Sequence, residues 1–154
     1  MKFSLKDNIN IIKKVKAERK KIVFTNGCFD LLHVGHIRYL AQAKKLGDFL
    51  IIGLNSDSSV KALKGKDRPI NSFEDRAVLL SALTSVDLVI IFEELTPENL
   101  IKEIVPDVLV KGGDYNIEDI VGFQTVIQNG GLVKSLSFYD GYSTCLLYTS
   151  PSPR

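Results

Sequence analysis

Two cysteines, Cys28 and Cys145, are too few for the disulfide framework of a small secreted domain, so the fold must rest on its core. A reducing, cytoplasmic setting is the corresponding expectation. A dominant charge sign is missing too. The 20 basic and 18 acidic side chains leave +2, too little to argue for a nucleic-acid partner. No apolar run approaches the roughly 20 residues that a membrane helix needs. The start, Met1-Lys2-Phe3-Ser4-Leu5-Lys6-Asp7, runs into charges rather than the apolar stretch of a signal peptide, so no membrane partner is expected. Internal repeats are absent. What remains is an ordinary globular composition, 45% hydrophobic and 25% charged, in a chain long enough for one domain with a real core. Histidine is scarce as well, and the only two, His33 and His36, stand three positions apart.

Several short apolar runs lack polar alternation, as strands covered on both faces do: Lys21–Thr25, Phe49–Leu54, Leu88–Phe92, Val108–Val110 and Leu132–Leu136. Helical patterns lie at residues 8–20, after a polar start at Asp7 or Asn8, and at His36–Leu46, Phe73–Leu83, Pro97–Glu103 and Glu118–Asn129. Ser72 with Asp75 resembles a capping box. Thr96-Pro97 reads as an N-cap followed by a first-turn proline, and Gly47 and Gly130-Gly131 as helix stops. Alternating strands and helices predict an α/β fold: a Rossmann-like, doubly wound, parallel five-stranded sheet with helices on both faces. Residues 1–20 read as an N-terminal helical extension, 21–144 as the main domain and 145–154 as a tail. Ligands of such sheets bind at the carboxyl ends of the strands. The turns after the strands, including Asn55–Asp57, Lys111–Tyr115 and Gly141–Thr144, are predicted to converge there.

The segment Thr25-Asn26-Gly27-Cys28-Phe29-Asp30-Leu31-Leu32-His33-Val34-Gly35-His36 spans the first strand-to-helix turn. Free N–H groups at a helix start favour phosphate. Gly27 and Gly35 permit close approach to it, and two imidazoles on one helical turn can face a single anion. This Gly-x-Phe-Asp and His-x-Gly-His pattern resembles the signature of the HxGH nucleotidyltransferase superfamily. Further segments are Asn55-Ser56-Asp57-x-Ser59-Val60, Leu63-Lys64-Gly65-x-x-Arg68-Pro69-Ile70, Arg76, Val86-Asp87, Thr96-Pro97 and Pro106-Asp107-x-Leu109-Val110-Lys111-Gly112-Gly113-Asp114-Tyr115. They are similar to the sugar branch, the D-glycero-D-manno-heptose 1-phosphate adenylyltransferases. The likeness covers roughly residues 20 to 144.

The resemblance implies transfer of AMP from ATP to the sugar 1-phosphate by direct in-line displacement, giving ADP-heptose for a lipopolysaccharide core. ATP would be a co-substrate and Mg²⁺ would ride on its triphosphate, with no dedicated protein metal site. His33 and His36 are the expected catalytic pair, donating to the charge that develops on the phosphates. The expected nucleotide contacts are Thr25, Asn26, Gly27, Cys28, Phe29, Gly35, Lys111, Gly113, Asp114, Tyr142, Ser143 and Thr144. The expected acceptor contacts are Asp30, Asn55, Asp57, Lys64, Arg68 and Arg76. Arg can grip phosphate bidentately and Lys as a point charge. Blander readings stand beside these: turn glycines, a solvated basic loop at 61–68, a surface ion pair for Arg76 and a plain N-cap at Ser143-Thr144. Cys28 reads as a small packed residue, because transfer between phosphates needs no thiolate.

Two rivals remain at this point. A cytidylyltransferase for glycerol 3-phosphate or a similar alcohol phosphate would share the histidine signature. Such relatives carry Arg-Thr-Glu-Gly-x-Ser-Thr-Thr, where this chain has Ser137-Phe-Tyr-Asp-Gly141-Tyr-Ser-Thr and lacks the Arg. A catalytically inactive nucleotide-binding module is the other. From Cys145 the sequence departs from the family pattern into Leu-Leu-Tyr-Thr-Ser-Pro-Ser-Pro-Arg. The tail is expected to be non-native or disordered. A homodimer is one assembly that the resemblance allows, and the sugar kinase of the pathway is expected to be a separate protein.

Overall fold

The computed structural model describes residues 2–137; Tyr142, Ser143, Thr144 and the tail from Cys145 lie outside the described residues. Five strands, β1 (Ile22–Gly27), β2 (Phe49–Asn55), β3 (Leu88–Phe92), β4 (Val108–Gly112) and β5 (Leu132–Leu136), form one sheet in the order β3-β2-β1-β4-β5. Every pairing is parallel. The helices are α1 (Leu5–Ala17), α2 (Val34–Lys44), α3 (Asp57–Lys64), α4 (Phe73–Ser81), α5 (Glu98–Ile104) and α6 (Phe123–Gln128), with a 3₁₀ turn at Ile117–Asp119. This is the α/β, Rossmann-like, doubly wound sheet expected from the sequence.

Side-chain alternation splits the core in two. Ile22, Phe24, Ile51, Ile90 and Leu109 point to one face, where Ile12 and Val15 of α1, Ile101 and Ile104 of α5 and Val126 of α6 cover them. Val23, Leu50, Ile52, Leu54 and Val89 point to the other, under Tyr39, Leu40 and Ala43 of α2 and Ala77 and Leu80 of α4. Both faces are apolar, so these strands show no polar alternation in sequence. At the outer strand β3, Ile91 N donates to Phe3 O at 2.8 Å. The Phe3 ring meets Phe73 edge-on at 5.5 Å.

Helix starts follow local chemistry, in places a few residues from where the sequence suggested. α1 begins earlier, with Ser4 as N-cap and its Oγ accepting from Asp7 N at 3.1 Å. Ser72 caps α4 as expected, accepting from Asp75 N at 3.3 Å. At α5 the N-cap is Pro97 rather than Thr96. The sequence predicts a turn at Asn55–Asp57 and allows a basic loop at 61–68, but Asp57–Lys64 is helix α3, with Ser56 Oγ accepting from Ser59 N at 3.2 Å. α6 is shorter than its apolar pattern. Gly122 adopts φ +94°, and a Cβ there would lie 2.7 Å from Ile101 Cδ1, so the chain breaks before Phe123 to let Gly122 press on α5. Gly130 and Gly131 close α6, donating to Ile127 O at 3.0 Å and Val126 O at 2.9 Å.

The strand order reverses between β1 and β4. Connections leave the sheet in opposite directions there, opening a crevice beyond the carboxyl ends of both strands.

Candidate active site

A cavity of about 510 Å³ occupies that crevice. Its lining includes Asn26 to Leu31 from the β1–α2 turn, His36 and Tyr39 from α2, Asn55 at the end of β2, and Leu63, Lys64 and Arg68 beyond it. Leu95–Pro97, Lys111–Gly112, Tyr115 and 119–121 complete the wall. Elements distant in sequence therefore meet where the strand logic predicted.

His33 is the N-cap of α2, and its Nδ1 accepts from Gly35 N at 3.1 Å. His36 reaches back, its Nδ1 accepting from His33 N at 3.3 Å. The rings stack with centroids 3.9 Å apart at an interplanar angle of 28°. Each Nδ1 is an acceptor, so in the neutral rings the proton sits on Nε2. The pair thus presents two Nε2–H donors at the start of a helix, where the peptide dipoles already favour an anion. Burial lowers the His33 pKa, and burial together with the charge of His33 lowers that of His36 to about 4. Both are neutral donors near pH 7.

Phe29 backs this arrangement. Its ring meets His36 edge-on at 5.5 Å, and its backbone is left-handed, φ +44°. Gly27 makes room for it, since a Cβ there would lie 2.8 Å from Phe29 Cε2. A non-glycine residue in that backbone region is costly and is held only by its surroundings.

Three cations, Lys64, Arg68 and Lys111, line the cavity. Lys111 is half-buried on β4, its Nζ 5.9 Å from the Tyr115 ring centroid. Burial lowers its pKa, partly offset by Cys28. Burial raises the Cys28 thiol more than Lys64, Arg76 and Lys111 lower it, so the group is a thiol and not a poised thiolate. That accords with the packing role expected for Cys28.

The expected site residues divide. Asn26, Gly27, Cys28, Phe29, Asp30, His36, Asn55, Lys64, Arg68 and Lys111 share the cavity. Thr25 lies beneath it, fully buried, with Oγ1 2.7 Å from the Tyr39 hydroxyl. His33 and Gly35 stand behind His36 in the helix start. Gly113 turns toward β5, donating to Leu136 O at 2.8 Å, while Asp114 is exposed and accepts from Ser137 Oγ at 3.4 Å.

Arg76 and Asp30 differ from expectation in what they touch. Arg76 is 0% exposed. Its Nε donates to Asn71 O at 3.1 Å, Nη1 to Cys28 O at 2.8 Å and Asn55 O at 2.9 Å, and Nη2 to Asp57 Oδ1 at 2.7 Å. It binds the turns after β1 and β2 to the segment before α4, rather than reaching into the cavity. Asp57 is engaged by the same guanidinium. Asp30 is 5% exposed, and its carboxylate accepts from Arg68 Nε at 2.7 Å and from Ile70 N and Asn71 N at 2.9 Å. Burial alone would raise its pKa, but these bonds from Asn71, Ile70 and Arg68 hold it below the usual carboxylate range. The sequence brings Tyr115 to this edge within Lys111–Tyr115 but not the rest of the opposite wall, Leu95, Asp119, Ile120 and Val121. The only signal was that Thr96-Pro97 and Tyr115 fall in the family-like segments.

Among the described residues, no three His, Cys, Asp or Glu side chains gather in a metal-binding arrangement, and no helix is long and apolar enough to cross a membrane.

Comparison with known proteins adds three findings. A family profile described as cytidylyltransferase-like matches residues 24–148. The chain is 61% identical over 132 residues to the bifunctional protein HldE of Haemophilus ducreyi, covering 86% of this chain and 28% of the relative. It is 55% identical over 142 residues to HldE of a Marinomonas species, covering 92% of this chain and 30% of the relative. It therefore spans less than a third of the length of these curated relatives. Among solved structures, a lipopolysaccharide core biosynthesis protein from Thermoplasma volcanium superimposes with a TM-score of 0.63 at 31% identity, covering 77% of this chain and 96% of that one. A pantoate-β-alanine ligase from Francisella tularensis, at 15% identity with a TM-score of 0.62 over 88% of this chain and 66% of that one, shares the fold.

Proposed function

This chain belongs to the cytidylyltransferase-like family, and on that premise we propose that it transfers AMP from ATP to D-glycero-D-manno-heptose 1-phosphate, releasing pyrophosphate and ADP-heptose. The observation that carries the reading is the meeting of His36, backed by His33, with Lys64, Arg68 and Lys111 around one cavity. A triphosphate and a sugar phosphate bring several negative charges together, and such a site is built to accept them. The sugar assignment rests on the Leu63-Lys64-Gly65 and Lys111–Tyr115 segments, on the identity with the HldE proteins and on the lipopolysaccharide-core relative.

In the proposed reaction an acceptor phosphate oxygen attacks the α-phosphorus. The bond from that phosphorus to the bridging oxygen breaks, and its electron pair leaves on pyrophosphate. The attacking oxygen is already anionic, so no general base is required. His33 and His36 donate from Nε2 to the phosphate oxygens as charge develops. The N–H groups at the start of α2 and along Asn26–Phe29, with Lys111, hold the triphosphate. Lys64 and Arg68 hold the acceptor phosphate, and positioning supplies much of the rate. Gly113 and Asp114 border the nucleotide, and Tyr142, Ser143 and Thr144 contact the triphosphate. Mg²⁺ fits here as a passenger on the triphosphate. Of the carboxylates lining the cavity, Asp30 is taken by hydrogen bonds, which leaves Asp119 as the one that could approach such an ion, and the ion would supply charge neutralisation on the triphosphate. Residues 21–144 are the proposed catalytic unit, acting in the cytoplasm.

The family's description favours one second reading, cytidylyl transfer to glycerol 3-phosphate or a similar alcohol phosphate. Pyrophosphate release measured across four nucleoside triphosphates and a panel of sugar and alcohol phosphates decides between them. ATP with heptose 1-phosphate should turn over fastest. A preference for CTP with glycerol 3-phosphate would overturn the assignment, and nucleotide binding without turnover would favour an inactive module.

A further inference from the structure

We propose that Asp30 is a positioning residue: by fixing the Nε edge of Arg68 it aims the terminal amino groups of that guanidinium at the phosphate of the acceptor. This rests on the phosphate-acceptor reading above and goes beyond it in saying what Asp30 does. A carboxylate lining a phosphate site is a paradox, because it repels the ligand. Here its charge is taken up completely. Oδ1 accepts from Ile70 N and Asn71 N at 2.9 Å, and Oδ2 from Arg68 Nε at 2.7 Å and from Ile70 N at 2.9 Å. With the Asp30 side chain 2% exposed, little of it is left to meet a substrate hydroxyl.

Arg68 is different. Its side chain is 34% exposed and lines the cavity, and Nε is its only nitrogen with a hydrogen-bond partner among the described residues. The outer edge of the guanidinium is therefore available for phosphate, and its orientation is set by the bond on the inner edge. An arginine anchored on one side loses less rotamer freedom when it grips an anion on the other.

The anchor also sets a distance. Asn71 Nδ2 donates to Asp30 O at 2.7 Å, so backbone and side chain of one residue in the β1–α2 turn hold the whole 68–71 segment. The same turn carries the histidine pair three and six positions later. Asp30 thus fixes the acceptor-side cation relative to the donors on the triphosphate side. In-line attack needs that separation held, since a misplacement of about 1 Å can cost about 100-fold in rate.

A kinetic double-mutant cycle tests the assignment. Asp30→Asn keeps an oxygen for the Ile70 and Asn71 amides and removes the acceptor facing Arg68 Nε. It should raise the acceptor KM about tenfold while the ATP KM stays within about twofold. In an Arg68→Ala background, Asp30→Asn should change the acceptor KM no further. An equal rise in both KM values, or an undiminished effect in the Arg68→Ala background, would overturn the proposal. The cycle is run on whichever acceptor the wild-type protein uses best, so a wrong sugar assignment shows in the wild type and leaves the cycle readable. If no acceptor turns over, calorimetric titration with inorganic phosphate reads the same coupling. Should Asp30→Asn fail to fold, NMR of the wild-type Arg68 side chain decides. Its Nε–H signal should stay fixed while the Nη signals move on adding acceptor, and a mobile Nε–H with unresponsive Nη signals would refute the anchor.

Discussion

His33 and His36 stack with ring centroids 3.9 Å apart and both Nδ1 atoms accepting from backbone N–H groups, so the two rings cap α2 and carry their protons on Nε2. One device serves fold and chemistry, and the two can be separated experimentally. His33→Ser keeps a good N-cap while deleting the ring. It should hold the melting temperature near wild type and lower turnover by roughly 10²–10³, the usual loss for one transition-state donor. Nucleotide affinity should fall much less, since the interaction strengthens as charge develops. Wild-type turnover in this variant would remove His33 from the mechanism.

The pair also predicts a pH dependence. The pKa values of both rings are lower in the folded chain than their ordinary 6.5, His36 at about 4. Between those values the unfolded chain binds more protons than the folded one, so stability rises with pH. The contribution is complete above pH 6.5 and is lost as pH falls toward about 4. Urea unfolding at a series of pH values should show this slope, and His36→Asn should flatten it. An unchanged slope in the variant would assign the acid sensitivity to other groups.

Arg76 predicts a loss of stability. Its removal strips a donor at once from the buried carbonyl of Asn55 and the part-buried carbonyls of Cys28 and Asn71. Arg76→Ala should cost about 3 kcal/mol in chemical unfolding, since a buried acceptor left without a partner costs about 1–3 kcal/mol. A loss below about 1 kcal/mol would mean that the three turns hold without it. Arg76→Lys should restore only part, because an ammonium cannot span four oxygens in the fork geometry.

Cys28→Ser should keep most activity, because the thiol is protonated and direct displacement needs no covalent intermediate. Intact-mass measurement during turnover should find no nucleotidyl adduct. An adduct at Cys28, with the serine variant inactive, would replace direct displacement by a two-step mechanism.

The sheet was legible in the sequence because its strands are buried on both faces and read as unbroken apolar runs, Phe49–Leu54 above all. The histidine turn was legible because two glycines and two histidines follow such a run directly. α3 was not, because Ser56-Asp57-Ser58-Ser59 are turn formers as much as cap formers. The capping contact of Ser56 and the burial of Ser59 and Val60 decide the matter in three dimensions. The short α6 depends on Gly122 meeting Ile101, a contact 21 positions away in sequence that no local pattern carries. Arg76 shares a helix face with the buried Ala77 and Leu80, a signal that it points inward. A lone arginine in a phosphate-rich motif context nevertheless reads as a ligand until its partners are known. Leu95 comes from the connection between β3 and β4 and 119–121 from that between β4 and β5, and composition and spacing do not encode their meeting at one cavity wall.

Phe3 gives the N-terminal segment a use apart from catalysis. By accepting from Ile91 N it occupies part of the exposed margin of β3, the place where a foreign strand could add itself to the sheet. Its loss would then register first as concentration-dependent self-association, with turnover per folded molecule unaltered. A change in this segment is accordingly a matter of colloidal behaviour, and dilute enzyme assays would overlook it.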